Sequence, residues 1–376
     1  MYAIRYDGIP PQNYIHHPSL YNIGLIVDNP ILTNTLNAHG TLQFTISPKN
    51  EQYESLHTLE TILVVEDDGI PVWRGRILNQ TVDINQNKKI ICEGQLAFLC
   101  DSVICPYVWY GSVRDFFVCL IEEHNRQADA KHQLLIGRIS SDFLSTDIHR
   151  SSETADTVWE IINKKIIEPL GAYIMVRIEP NGNYIDLLSE ITDICHQDIE
   201  YGKNLVDYNV DTDSDNIYTA IIPYGAEIES GPGHETEPEE QYGALRTWNK
   251  SRLTIADVND GQIYIENPDG IALYGRIFRS KTWDDITTAA KLKTVAQNDM
   301  YNSIFKNTAI EAKAVDLSLI DKSKPSIKVG QLINVYSTTQ RISVQLLCKQ
   351  IQIPMMNVGN TTIQLGAGFK ALTDYK

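Results

Sequence analysis

Three observations lead the sequence to predict an α+β, mainly β, multidomain chain. The first is length: 376 residues is about twice the usual domain size, so two to four domains are expected. The second is that short strand patterns crowd both ends of the chain. The third is that helical periodicity is confined to the stretches between them. With 43% hydrophobic and 21% charged residues, the chain can bury sizeable cores, and disordered and fibrous classes are excluded.

The first hundred residues read as strands and turns. Thr41 to Ser47 alternates, with Leu42, Phe44 and Ile46 on one face, between Gly40 and Pro48. Thr61–Val65 is a continuous apolar strand, Glu66-Asp67-Asp68-Gly69 a turn, and Val72 to Val82 the return strand carrying Trp73-Arg74-Gly75-Arg76. Asn85-Gln86-Asn87 turns the chain into Lys89–Cys92. Strands at this spacing suggest a small barrel or sandwich. Trp73 is expected to be buried on a strand, beside an exposed Arg74.

After Tyr110 the pattern changes. Ser112 and Asp115 make a capping-box-like start, and Val113, Phe116, Phe117, Leu120, Ile121 and His124 share one helical face. A second helix is expected after Ser152, with Ala155, Val158, Trp159, Ile162 and Ile166 on one stripe, stopped by Pro169 and Gly171. Tyr173–Ile178 and Tyr184–Leu188 flank the hairpin signal Asn181-Gly182. Residues 206–225 look like a strand segment, and Glu227 to Gln241, rich in Glu, Gly and Pro, reads as a loop. Thr282-Trp283-Asp284-Asp285 is expected to open a third helix, with Ile286, Ala289, Ala290, Lys293, Ala296 and Met300 on one side. From Thr308 onward the pattern is β: Ala312–Leu317, Leu332–Val335, Val344–Ile353 and Thr361–Leu365.

The charge is acidic: Lys+Arg 32 against Asp+Glu 48, a formal net charge of -16. That balance argues against a free-standing nucleic-acid binder. The opening Met1-Tyr2-Ala3-Ile4-Arg5-Tyr6-Asp7 has no cationic region followed by an apolar stretch, so no signal peptide is expected. No window approaches the roughly 18 apolar residues of a transmembrane segment. Cys92, Cys100, Cys105, Cys119, Cys195 and Cys348 form no CxxC pair and are expected to be buried free thiols.

Known chemistries were sought in the residues and not found. His234-Glu235-Thr236-Glu237-Pro238 lacks the second His of a zinc-peptidase helix and contains a helix breaker. Asp211 to Asn216 has carboxylates at calcium-loop spacing, but Asn216 and Ile222 stand where the loop needs Gly and Glu. In Asp257-Val258-Asn259-Asp260-Gly261 the Gly comes one place early, so both acidic stretches read as solvated turns. Gly231-Pro232-Gly233 lacks the Lys and the helix of a phosphate loop. The pairs Glu122-Glu123 and Glu239-Glu240 are adjacent, and helical neighbours point apart, so neither is expected to serve a glycosidase. His16-His17 and His124/His132 read as surface or core residues, His124 as a satisfied core-edge histidine. No catalytic, cofactor-binding or metal residue is therefore assigned.

The stretch Ile31 to Leu78 carries a resemblance. Leu36-Asn37-Ala38-His39-Gly40-Thr41-Leu42-Gln43-Phe44, Tyr53-Glu54-Ser55-Leu56-His57-Thr58-Leu59 and Trp73-Arg74-Gly75-Arg76-Ile77-Leu78 resemble the N-terminal region of phage tail-associated proteins, the prophage tail endopeptidase or phage minor structural protein family. Asp215-Asn216-Ile217, Pro223-Tyr224-Gly225, Tyr274-Gly275, Ala314 to Ser318, Val329-Gly330-Gln331 and Leu365-Gly366 follow in the family's order.

The resemblance implies a baseplate-hub-like tail protein with two β-barrel, tube-type domains and two inserted peripheral α+β domains. On that reading residues 1–105 form the first barrel and 106–205 an α+β domain with two helices. Residues 206–225 with 308–376 form the second barrel, and 226–307 an inserted domain with the acidic loop and one helix. The implied role is structural: a homotrimeric ring at the tail tip that continues the tail tube, contacts distal tail and baseplate proteins, and meets the bacterial envelope indirectly. DNA would pass through its lumen without specific binding, and an acidic wall suits that, because neutralised phosphates make DNA stick. Edge strands around Thr41–Ile46 and Leu332–Val335 are expected to pair or pack across subunits. The expected location is the virion tail, after synthesis in the host cytoplasm. In many relatives a hydrolase lies in a C-terminal extension, and this chain stops at Lys376, so no enzyme activity is carried over. The competing readings are a tail-associated peptidoglycan hydrolase and a carbohydrate-binding receptor module.

Overall fold

The computed structural model describes residues 1–7, 13–20, 22–212, 217–227, 252–284, 286–305, 308–319, 321, 323–337 and 342–371. The expected loop beyond Glu227, the zinc-peptidase-like stretch 234–238, the Gly231–Gly233 segment, Glu239-Glu240 and most of the first acidic turn lie outside the described residues.

The N-terminal strands are β1 Tyr2–Tyr6, β2 Tyr14–His16, β3 Asp28–Thr35, β4 Thr41–Ile46, β5 Ile62–Asp67, β6 Ile70–Val82 and β7 Lys88–Gly94. In β4 the buried positions are Leu42, Phe44 and Ile46, the face read from the sequence. The β5–β6 hairpin closes on Asp68 and Gly69 at φ 48° and 81°, the left-handed region that a tight two-residue turn demands. Leu32, Phe44, Leu63, Val65, Trp73, Ile77 and Ile90 meet in one core.

A helical lobe follows, with β8 Val103–Ile104, β9 Tyr107–Ser112, α1 Val113–Gln127, β10 Leu135–Ile139, α2 Asp142–Ser145, β11 Asp147–Ser152, β12 Asp156–Thr157, α3 Val158–Ile162, α4 Glu168–Leu170, β13 Tyr173–Glu179 and β14 Gly182–Leu188. Ser112 caps α1, its side chain accepting from the Asp115 amide. All six residues of the expected stripe, Val113 through His124, are buried. The second helix begins later than the sequence reading placed it. Ser152 ends β11, and Thr157 is the cap, in a reciprocal capping box with Glu160. Nor does Pro169 stop the helix. Asn163–Ile167 widen into a π-helical turn, α4 carries Pro169 at its start, and Gly171 at φ 64° ends it. A proline has no amide to give, and the first turn of a helix asks for none.

The remaining strands of this unit are β15 Ile199–Glu200 and β16 Leu205–Thr212 and, after the inserted unit, β20 Thr308–Ala314, β21 Leu332–Ser337, β22 Ile342–Pro354 and β23 Thr362–Ala371. The inserted unit holds β17 Ala220–Tyr224, β18 Ile265–Glu266, α5 Pro268–Tyr274, β19 Phe278–Thr282 and α6 Ala289–Phe305.

One unit comprises Met1–Asn209 and Ile310–Lys376, the other Val210–Ala309. In the first, the strands from both ends of the chain share a single sheet in the order β16-β20-β23-β22-β3-β4-β7-β6-β5-β1-β2, with β21 on β22 and β15 on β21. The splice is β22. Its residues 342–347 pair with β21 and its residues 350–354 with β3. The fold is mainly β with added helices, as expected. The described pairings form an open sheet, and closure into barrels is not among them. The two strands expected to pair across subunits are interior: β4 lies between β3 and β7, and β21 between β22 and β15. Both their edges are already bonded, which overturns the pairing expected there.

In the second unit β17 pairs with β18 and β19, and α6 packs its Leu292, Ala296, Met300 and Ile304 on Tyr218, Ile221, Ile255 and Ile265. Thr282-Trp283-Asp284 does not open the third helix. Thr282 ends β19, and the helix starts at Ala289. Ala290, placed on the apolar side from the sequence, is exposed, and Leu292 takes the buried position.

Candidate functional site

The most reactive-looking arrangement in the first unit was only half visible in the sequence. Helix α1 carries His124 to its last turn, and Ser102 lies just beyond the buried segment Gln95–Leu99. The Ser102 hydroxyl is 2.7 Å from His124 Nδ1, and His124 Nε2 is 3.2 Å from the His132 carbonyl oxygen. A carbonyl only accepts, so Nε2 carries the proton and Nδ1 accepts from Ser102. Burial lowers the His124 pKa and keeps the ring neutral, against a smaller opposite pull from the His132 carbonyl. The pair borders a pocket of about 240 Å³ with Phe98, Asp101, Gln127, Ala128, Asp129 and His132.

A nucleophile and base need an open hydroxyl and a base oriented by a third polar group. Ser102 is 1% exposed and His124 0%, and the far nitrogen is held by a backbone carbonyl rather than a carboxylate. The arrangement satisfies two buried polar side chains and ties α1 to the segment before it. His124 was legible as the end of the apolar stripe. Ser102 had no signal, because it comes from another element.

Buried charge does the same kind of work nearby. Arg74, expected at the surface, is 5% exposed. It donates to Asp7 at 2.6 and 2.9 Å and to the Lys131 carbonyl oxygen at 2.7 Å. Arg76 pairs with Glu93 and Asp101. Both guanidinium groups lie over the Phe98 ring, at 5.9 and 5.4 Å from its centre. Two adjacent i, i+2 residues on one strand face thus become a cationic clamp on an aromatic, joining the N-terminal sheet to the helical lobe. Trp73 is buried as expected, and it explains the glycines: Gly75 pairs across with Gly94. A side chain at Gly75 would strike the indole and the Glu93 carbonyl, and one at Gly94 the His39 carbonyl. In the lobe, Asp186 is fully buried and receives Arg177 and Arg138. Burial pushes its pKa up, but the hydrogen bonds from Arg177 and Arg138 outweigh that and hold it low.

The remaining candidates fall where the sequence reading put them or are corrected. Asp257 and Asp260 are exposed in a turn with Asp260 and Gly261 at φ 52° and 80°. Glu123 of the Glu122-Glu123 pair accepts from Arg126 and Gln127. Among the described residues no group of three or more His, Cys, Asp and Glu could hold a metal ion, and no helix is long and apolar enough to cross a membrane. All six cysteines are free, but only Cys92, Cys195 and Cys348 are buried; Cys100, Cys105 and Cys119 are exposed, against expectation.

The sequence profile of the prophage endopeptidase tail family matches residues 193–376. The match falls on the later motifs, from the Asp215 stretch to Leu365-Gly366, and not on Ile31–Leu78. Among curated proteins, comparison by sequence returns no match. Solved structures share the fold at low identity. The 43 kDa tail protein of prophage MuSo2 from Shewanella oneidensis is 10% identical with a TM-score of 0.64, over 97% of this chain and 98% of that one. The tail protein from Neisseria meningitidis MC58 is 13% identical with a TM-score of 0.63, over 97% and 95%. The prophage tail protein gp18 from Listeria monocytogenes EGD-e is 11% identical with a TM-score of 0.58, over 92% and 90%. The chain thus carries the profile of the prophage endopeptidase tail family over residues 193–376 and shares its fold with phage tail proteins over nearly its whole length.

Proposed function

We propose that this chain is a structural protein of a phage or prophage tail, a hub at the tail tip whose copies form a trimeric ring that continues the tail tube and lets DNA pass. The observation that carries the reading is the whole-length likeness to tail proteins from three organisms, taken with the family match. The build of the first unit supports a mechanical role. Strands from both ends of the chain are spliced through β22 into one sheet, and its conspicuous charges are spent on internal ion pairs. The two-barrel, four-part division belongs to this proposal, with Ala220–Tyr224 assigned to the inserted part, where its strand partners lie. A net charge of -16 per chain would line a conduit that does not hold DNA. The hydrolase reading rests on the family's name alone; the Ser102–His124 pair does not support it.

The test is to purify tail particles from the organism that encodes the chain and locate it by immunogold electron microscopy and quantitative mass spectrometry. Label at the tail tip with about three copies per particle is expected. Absence from particles, or label spread along the tube, overturns the reading. Clearing of cell-wall material by the purified chain in an activity gel would instead favour the enzyme.

A further inference from the structure

The hairpin formed by the second half of β6 and by β7 is an arm with one open side. Strand β5 pairs with β6 only as far as Arg76. From Asn79 to Val82 the described partner is β7 alone, in the register Asn79↔Ile91 to Val82↔Lys88. All five residues from Leu78 to Val82 are exposed. A strand with one row of amides and carbonyls unpaired invites strand addition, and natural proteins usually blunt such an edge with charge or proline. Leu78-Asn79-Gln80-Thr81-Val82 has neither.

The tip of the arm is stiff. Asp83 Oδ1 accepts from the Asn85 and Asn87 amides at 2.8 Å each, and Oδ2 from Asn87 Nδ2 at 3.0 Å. Gln86 takes a left-handed φ of 65°, and its carbonyl accepts from the Tyr53 hydroxyl at 2.5 Å. Lys88 Nζ donates to the Tyr53 carbonyl at 2.7 Å and lies 3.8 Å from the centre of its ring. This braced turn holds Ile84 94% exposed, with Leu78 at 44% and Val82 at 47% along the strand. A floppy loop could fold an isoleucine back; here the turn's own hydrogen bonds keep it in water. An apolar anchor on a pre-organised tip loses little freedom on docking.

We propose that this arm docks onto a second copy of the same chain, Ile84 entering an apolar recess and residues 78–82 adding to an open sheet edge. Charge favours a copy as the occupant. Each chain carries -16, so most faces of two copies repel. Of the arm's two carboxylates, Asp83 is turned onto its own amides and Glu93 is paired with Arg76, while Lys89 is exposed across from uncharged Thr81. The arm can therefore approach an acidic copy without like-charge contact. A copy also supplies acceptor edges, since its large sheet ends on β2 and β16. Arm and acceptor are different surfaces, and such head-to-tail contacts build rings. The inference rests on the structural-tail reading above and names the contact that reading lacks.

The experiment places a photo-reactive side chain at the tip, Ile84→benzoylphenylalanine, in the full chain within assembled tail particles, with Leu144→benzoylphenylalanine as the exposed control. Illumination at position 84 is expected to give a covalent dimer of this chain, at least tenfold above the control. A cross-link to a different tail protein, or none, overturns the inference and leaves the tail reading standing. A chain missing from the particles fails both. In parallel, Ile84→Asp in the purified chain should weaken self-association in sedimentation at least tenfold with the circular dichroism unchanged. Association unaffected by Ile84→Asp also overturns the arm contact.

Discussion

His16 shows how burial sets a residue's chemistry. It is fully buried, and its Nδ1 accepts from the Val27 amide at 3.3 Å. Desolvation, with a further push from His17, lowers its pKa to about 4. The unfolded chain binds the proton near the ordinary value of about 6.5, so the unfolded state gains protons first as pH falls. The stability this neutral ring allows is therefore complete above about pH 6.5 and lost progressively toward pH 4, by roughly 3 kcal/mol. Urea unfolding at pH 7 and pH 4.5 should show the fall, and His16→Asn should flatten it. His39, His124 and His132 are lowered by burial too, so some slope will remain. An unchanged slope in the variant would remove His16 from the account. Gly94 is set by sterics instead. Gly94→Ala forces a methyl against the His39 carbonyl and is expected to cost ~2–3 kcal/mol, read as a lower Tm.

At the scale of elements, caps decide where helices begin. Thr157 accepts from the Glu160 amide at 3.2 Å, and Glu160 reaches back to the Thr157 amide at 3.1 Å. Thr157→Ala should cost about 1 kcal/mol and raise hydrogen exchange at Val158–Ile162. The same cost with no local change in exchange would mean the cap is not what starts α3. The late start follows from competition. Ser152 is held in β11 by its pairing with Tyr107, and its hydroxyl donates to Asp156 at 2.6 Å, so it is not free to cap.

For the whole molecule, the two units carry separate cores: Tyr218, Ile221, Leu292, Met300 and their neighbours pack entirely within 210–309. Calorimetry should then resolve two transitions, one for each unit; a single two-state transition would show the cores to be energetically coupled. The acidic balance of -16 leads to a second expectation. Duplex DNA should show no mobility shift with the purified chain near 150 mM salt, where even basic proteins bind non-specifically only at ~10⁻⁶ M or weaker. A shift at low micromolar protein would contradict a non-adhesive conduit.

Local rules alone determined much of this protein. Leu42, Phe44 and Ile46 face one way because a strand alternates, Asp68-Gly69 turns because glycine and aspartate tolerate left-handed backbone, and the α1 stripe from Val113 to His124 follows the helical repeat. The likeness to phage tail proteins was legible too, and the profile match falls on the later motifs. The tertiary structure decided what depends on distant neighbours. Arg74 is buried because Asp7, Phe98 and Lys131 converge on it, and no local pattern encodes that meeting. Thr41–Ile46 and Leu332–Val335 looked like edges and are interior because β3 and β7 flank the first, and β22 and β15 the second. Among the described pairings an open edge lies instead at Leu78–Val82, visible only once β5 is seen to stop short. Periodicity reports which face of a segment is wet, whereas an unpaired edge is defined by the absence of a neighbour.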